Sequence, residues 1–208
     1  MKIRLLIIEN SLEYYYGKGL IINKVYKYID RYGLKISSIK KVDLRKSYIQ
    51  YLCNEVLDSI LMIDGVVDRN MLNSPHFELA NLYFSNGEKW LVSNYIGTKY
   101  HKFKSKVLNR EDGLPIRKLR VFDSIKQGYL KKGNEENYIV LLNKPLIETR
   151  YGIKSLNLKS PEIFMGHHRS AALLALGINE AKVIIAEDIN KGSCDFYGKI
   201  SKNYKELL

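Results

Sequence analysis

The chain has 208 residues, 46% of them hydrophobic and 27% charged, with a net charge of +12. That length can bury a sizeable core, and the balance is that of a globular protein rather than a disordered or fibrous one. No apolar run reaches the roughly 18–20 residues of a helical bilayer crossing; the longest, VLDSILMIDGVV at 56–67, is broken by Asp58 and Asp64.

The opening MKIRLLII is too short for a secretory leader and has no small-residue cleavage site behind it, which predicts a cytoplasmic protein. Cys53 and Cys194 are too few and too distant for a disulfide framework or a cysteine-rich metal site, and read as free thiols. The basic charge is thinly spread, with 18 Lys+Arg against 10 Asp+Glu up to residue 110 and 16 against 12 beyond it. Abundant Lys, Ile, Asn and Tyr together are the mark of codon bias in an AT-rich genome. The charge thus supports a general attraction to polyanions, nucleotides included, and no dedicated nucleic-acid arm.

In chain order, IRLLII (3–8) reads as a buried strand. LIINKVYKYIDRYG (20–33) reads as a helix with Ile21, Val25 and Ile29 on one face and Gly33 after its end. YYYGKG (14–19) lacks the spacing of a phosphate loop. The spacing of Tyr48, Leu52, Val56 and Ile60 predicts a long helix over 44–63. A further helix is predicted over 74–87, with Ser74 as N-cap, Pro75 in the first helical position and Gly87 closing it. KWLVSNYI (89–96) follows as an extended or short helical piece.

The polar stretch KFKSKVLNREDGLPIRK (102–118) then marks a change of character, and a boundary is expected near residue 112. Beyond it, KLRVFDSI (118–125) alternates like a strand, and strands are also predicted at 137–143, 162–165 and 182–188. A short helix over 168–176, ended by Gly177, falls between the last two, and FYGKISKNYKELL closes the chain. The expected class is α+β: a mostly helical region over 1–112 of no recognised type, then a small α/β domain over 113–208.

The chemistry concentrates in PEIFMGHHRSAALLALG, residues 161–177, which holds two of the four histidines. Gly166 permits a tight turn and a close approach to a ligand. His167, His168, Arg169 and Ser170 then fill the first helical turn, where free backbone N–H groups and the helix dipole favour anions. Arg169 adds a planar fork suited to phosphate, Ser170 a hydroxyl, and the imidazoles can donate to phosphate oxygens or carry a proton. Two solvated imidazoles on a plain turn is the competing reading. Metal chelation by the pair is disfavoured, because adjacent helical residues diverge by about 100°. Elsewhere, His76 in NSPHFE reads as a surface residue of a helix cap and His101 in KYHKFK as solvated.

The segment 161–188, in its order of strand, Gly-x-x-Arg turn, small-residue helix, Leu-Gly and Val/Ile strand, resembles the signature of the ParB/sulfiredoxin superfamily. VFDSIKQGYLKKGNEENYIVLL (121–142) is similar to its first conserved box and following strand, so the likeness covers about residues 113–190. The resemblance implies a sulfiredoxin-like nucleotide-binding domain with phosphates held at the helix N-terminus by Gly166, His167, His168, Arg169 and Ser170. The Gly-His-His-Arg variant is similar to that of free serine kinases in the group. Sulfiredoxin chemistry needs Cys where this chain has His167. Partition ParB proteins carry Gly-Glu-Arg-Arg and continue into a helix-turn-helix, for which the 31 residues after Gly177 leave no room. The kinases carry Asp where this chain has Met165.

The resemblance further implies a general base from the first box, for which Asp123 is the best match and Glu148 and Glu162 are poorer ones, and places Tyr129 where it can stack on a base. The expected function is a nucleotide-dependent kinase, using ATP, ADP or CTP with Mg²⁺, that acts on a hydroxyl of serine, a sugar or a polyol. Asp123 or His168 would receive the proton. The alternatives are a ParB-like nucleotide switch or nuclease-like protein acting on DNA, and a degenerate member serving as a structural partner.

Overall fold

The strand, turn, helix and strand expected over 161–188 all form in the computed structural model, which describes residues 34–49, 59–107, 113, 116–127, 139–142 and 161–188. The expected elements at 3–8, 20–33 and 196–208, the 14–19 segment, Cys53, Tyr129, Glu148 and Cys194 lie outside the described residues.

The class is α+β. A mixed five-stranded sheet runs in the order β1 (Leu34–Asp43), β7 (Glu180–Asp188), β5 (Val140–Leu142), β6 (Glu162–Met165) and β2 (Tyr48–Ile49). β1 pairs antiparallel with β7 from Leu34↔Asp188 to Asp43↔Glu180, β7 parallel with β5, β5 antiparallel with β6, and β6 parallel with β2. The two outer strands thus come from before residue 112 and the three inner ones from after it. One hydrophobic cluster likewise joins Leu44, Ile49, Leu79 and Phe103 to Phe122, Leu141, Leu173 and Val183, so sheet and core both cross the boundary expected near 112. A separate hairpin pairs β3 (Met62–Ile63) with β4 (Val66–Val67).

Among the described residues, α-helices accompany the sheet at α1 (Pro75–Asn94), the single turn α2 (Lys99–Lys102), α3 (Ile116–Lys126) and α4 (His167–Ala175). Helix α1 starts as predicted, with Pro75 in its first turn and the Ser74 hydroxyl accepting from Phe77 N at 3.1 Å. Gly87 does break it, at φ 82 and ψ 169, but the helical chain resumes and runs to Asn94. No described helix is long and apolar enough to cross a membrane.

Two expected elements are corrected. Residues 118–125 are helical, not extended, and belong to α3. Their outward alternation hid a stronger period: Leu119, Phe122 and Ile125 are the buried positions, three residues apart along one helical face. Residues 44–63 are not one helix either. Leu44–Lys46 is a 3₁₀ turn capped by Asp43, Tyr48 and Ile49 pair with β6, and Met62 and Ile63 belong to the hairpin. Residues 59–61 are helical, and Leu52 and Val56 of the expected face lie outside the described residues.

Helix α4 is the pivot of the core. Ala171, Ala172, Leu173 and Leu174 are all buried, so the helix is apolar on almost every side and lies beneath α1 and α3 against the sheet. Its C-terminus closes as a Schellman motif, Ile178 N donating to Leu173 O at 2.9 Å and Gly177 N to Leu174 O at 3.0 Å. Gly177 takes φ +75, and an added Cβ would meet nothing within 4 Å. Gly177→Ala therefore costs only the left-handed backbone penalty, about 1 kcal/mol, and a urea unfolding curve should show that loss without a change in slope.

Candidate functional site

The first turns of α1 and α4 meet, and they bring three of the four histidines together. His76, the second residue of α1, has its ring centroid 5.2 Å from that of His167 and 4.7 Å from that of His168. His167 and His168 diverge on their helix, and His76 touches both. Tyr100 of α2 completes the group: its hydroxyl hydrogen-bonds His168 Nε2 at 2.8 Å, and its ring packs edge-on to His76 at 5.1 Å. Phe103 and Phe122 form the apolar backing, at 5.4 Å from His76 and 6.3 Å from His168.

Local chemistry explains why the chain can build this. Gly166 precedes α4 at φ 93 and ψ 23, a left-handed conformation that costs a side-chain-bearing residue energy and glycine almost none. The turn lets β6 end and α4 begin without a spacer, so both imidazoles arrive at the helix start. Ser74 and Pro75 do the same service for His76. The cluster has a buried back and an accessible front: His76 is 1% exposed, while Gly166, His167, His168 and Arg169 keep partial exposure. Ser170, in that same first turn, is fully buried, and its hydroxyl has no hydrogen-bond partner among the described residues.

Electrostatics point one way. Desolvation holds His76 and His168 well below the ordinary imidazole range and brings His167 down to about 4. Repulsion from positive charge adds to it: Lys118 of α3 acts on all three rings, Arg169 on His168, and His167 and His168 on His76. At neutral pH the site is therefore three neutral imidazoles, a phenol, Lys118 and Arg169 at the positive ends of two helices.

Asp123 does not join this group. It lies on α3 and accepts a hydrogen bond from Tyr83 of α1 at 2.5 Å, and no described contact links it to the histidines. Burial, and after it Asp123 itself, pushes the Tyr83 phenol up. Glu162 is buried at the far end of β6, paired in register with Tyr48 and Leu142, and desolvation raises it to about 7 against the pull of Arg69. Glu78, in the first turn of α1, accepts from Lys99 N at 2.6 Å and so caps α2. His101 is half-buried rather than solvated, with its ring 5.3 Å from that of Tyr95. His76 corrects the surface reading outright. Together with Tyr100 and Lys118 it is the part of the site that sequence reasoning missed; the signal was a third histidine in a first helical turn.

Magnesium takes hard oxygen ligands, and no group of three His, Cys, Asp or Glu among the described residues is arranged to hold a metal ion. The His76 ring packs edge to face on that of His168 and at a 32° tilt to that of His167. No protein-family model, curated protein or solved structure matches the chain.

Two outcomes follow. Folding keeps protons off imidazoles that the unfolded chain protonates below about pH 6.5. Stability therefore falls as pH drops from about 6.5 towards about 4, the folded value for His167. Glu162 opposes this, because its contribution is complete below 4.5 and is lost as pH rises through about 7. Urea midpoints between pH 7 and 5 should decline for the wild type and decline more steeply for Glu162→Gln; a flat profile in that variant would mean the imidazoles are solvated. Asp123→Asn should cost roughly 1–3 kcal/mol through its half-buried bond to Tyr83, while leaving anion affinity at the histidine cluster unchanged in calorimetry.

Proposed function

We propose that the chain binds the phosphates of a nucleotide at residues 166–170 and transfers a phosphoryl group to a hydroxyl of a small molecule, such as serine, a sugar or a polyol. One observation carries the reading: the first turns of α1 and α4 meet at neutral imidazoles on which Lys118 and Arg169 act, beside the Gly166 turn. Such a helix start with an adjacent guanidinium suits a phosphate. The likeness of residues 161–188 to the ParB/sulfiredoxin superfamily points to the same turn as the phosphate cradle, and a cytoplasmic setting accords with it.

In the transfer, the acceptor oxygen attacks the terminal phosphorus. The bond from phosphorus to the bridging oxygen breaks, and its electron pair leaves on the shortened nucleotide. Arg169, Lys118 and the backbone N–H groups of the first α4 turn offset the charge on the phosphoryl oxygens. His168, uncharged and donating its Nε2–H to the Tyr100 hydroxyl, has Nδ1 left to receive the hydroxyl proton, since Asp123 is committed to Tyr83. His76 and Phe103 back the pocket and keep water from it. The commitment of Asp123 to Tyr83, away from the cluster, favours a second reading, a nucleotide-binding switch that does not transfer phosphate.

Calorimetry with ATP, ADP and CTP, each with Mg²⁺ in the buffer, tests the site. Arg169→Ala should weaken binding roughly tenfold to a hundredfold, the worth of about 1.5–3 kcal/mol for a charged hydrogen bond. Phosphate transfer to serine, sugars or polyols then separates the kinase from the switch. A wild type that binds none of the nucleotides ends both readings.

A further inference from the structure

Helix α2 is a single turn, too short to persist by its own hydrogen bonds, yet it carries the hydroxyl that meets His168 Nε2. We infer that Glu78 is a positioning residue of the site: by holding the start of α2 against the first turn of α1, it sets Tyr100 on His168 Nε2 and leaves Nδ1 as the accepting nitrogen. The use of Nδ1 rests on the transfer proposed above; the placement of the ring does not.

Two side chains cap α2. Thr98 accepts from His101 N at 3.0 Å and donates to Tyr95 O at 2.8 Å, which ties the turn to the far end of α1. Glu78 lies 21 residues before Lys99 and accepts from Lys99 N at 2.6 Å, which ties the turn to the start of α1. Burial pushes the Glu78 carboxyl up, and the backbone N–H groups of Lys99 and Tyr100 pull it back down. A half-buried carboxylate facing two backbone donors is committed to them. Glu78 and His76 share that first turn, so the helix that grips α2 also packs an imidazole on Tyr100 and on His168, with ring centroids 5.1 and 4.7 Å apart.

The consequence falls on His168. A neutral imidazole has one donor and one acceptor nitrogen, and the partner of the first fixes the role of the second. Desolvation keeps His168 neutral, so the bond at Nε2 decides which nitrogen can take a proton. That bond, 2.8 Å long, is lost when its two atoms separate by less than an ångström. Tyr100 is buried against His76, Phe103 and His168, so a displaced α2 carries the hydroxyl away with it. Thr98 keeps the turn closed in either case; Glu78 determines where the closed turn sits.

Side-chain nitrogen resonances of the isotope-labelled full chain test this at neutral pH. In the wild type, His168 should show two well-separated ring nitrogens, with the hydrogen on Nε2. Glu78→Asp, one methylene too short to reach Lys99 N, should draw the two towards a common averaged value. Glu78→Gln keeps an acceptor oxygen of the same reach and should restore the separation. Tyr100→Phe should average them as well, and adding Glu78→Asp to it should change nothing more, because Glu78 acts through that hydroxyl. A cap with only a structural role would lower urea midpoints and leave the ring nitrogens unmoved. Where phosphate transfer is measured, Glu78→Asp should lower kcat by about tenfold to a hundredfold at unchanged nucleotide affinity. Wild-type nitrogens already averaged, or with the hydrogen on Nδ1, would overturn the inference without any variant having to fold; so would nitrogens that stay separate in Glu78→Asp. The ring readout needs no nucleotide. A wild type that binds none, yet shows the Glu78-dependent separation, keeps the positioning role and loses the transfer.

Discussion

The burial of α4 on nearly every side is the constraint from which the site follows. Ala171 to Leu174 leave that helix no face that water could solvate, so it must lie inside, against the sheet and under α1 and α3. Its polar groups are then confined to its two ends. The C-terminal end is closed by the Schellman motif at Gly177. The N-terminal end has no side-chain cap, since Gly166 offers none, and its free N–H groups open beside the first turn of α1. A helix with one end sealed by backbone bonds and the other left to a glycine turn is organised to present that second end to something else.

Packing two helix starts together would ordinarily oppose like partial charges. Placing uncharged imidazoles between them avoids adding to that repulsion, and aromatic contacts with Tyr100, Phe103 and Phe122 supply the apolar backing the rings need.

Much of this was legible in residues 161–188, because periodicity, glycine turns and capping residues all agreed there. The 74–87 helix was legible for the same reason: Ser74, Pro75 and Gly87 each act as their chemistry dictates. The rest failed where two periods competed. In 118–125, the charged positions between Leu119, Phe122 and Ile125 imitated strand alternation. In 44–49, burial of Leu44 and Ile49 served a turn and an edge strand, which depend on partners more than 100 residues away. His76 was misjudged because exposure is a property of what packs on top, and α2 and α4 are supplied by distant sequence.

The distribution of acids within the packed core sharpens the functional reading. Glu78 is spent on the N-terminus of α2, Asp123 on the Tyr83 hydroxyl, and Glu162 lies with Arg69 at the far end of β6. Each has a local role that would be lost if it were turned towards the histidines. The phosphoryl transfer proposed above asks chiefly for positioning and for positive charge around the phosphate oxygens, and Lys118 and Arg169 act at the histidine cluster apart from these acids. In the proposed transfer the proton therefore falls to His168, the imidazole that the Tyr100 hydroxyl already orients.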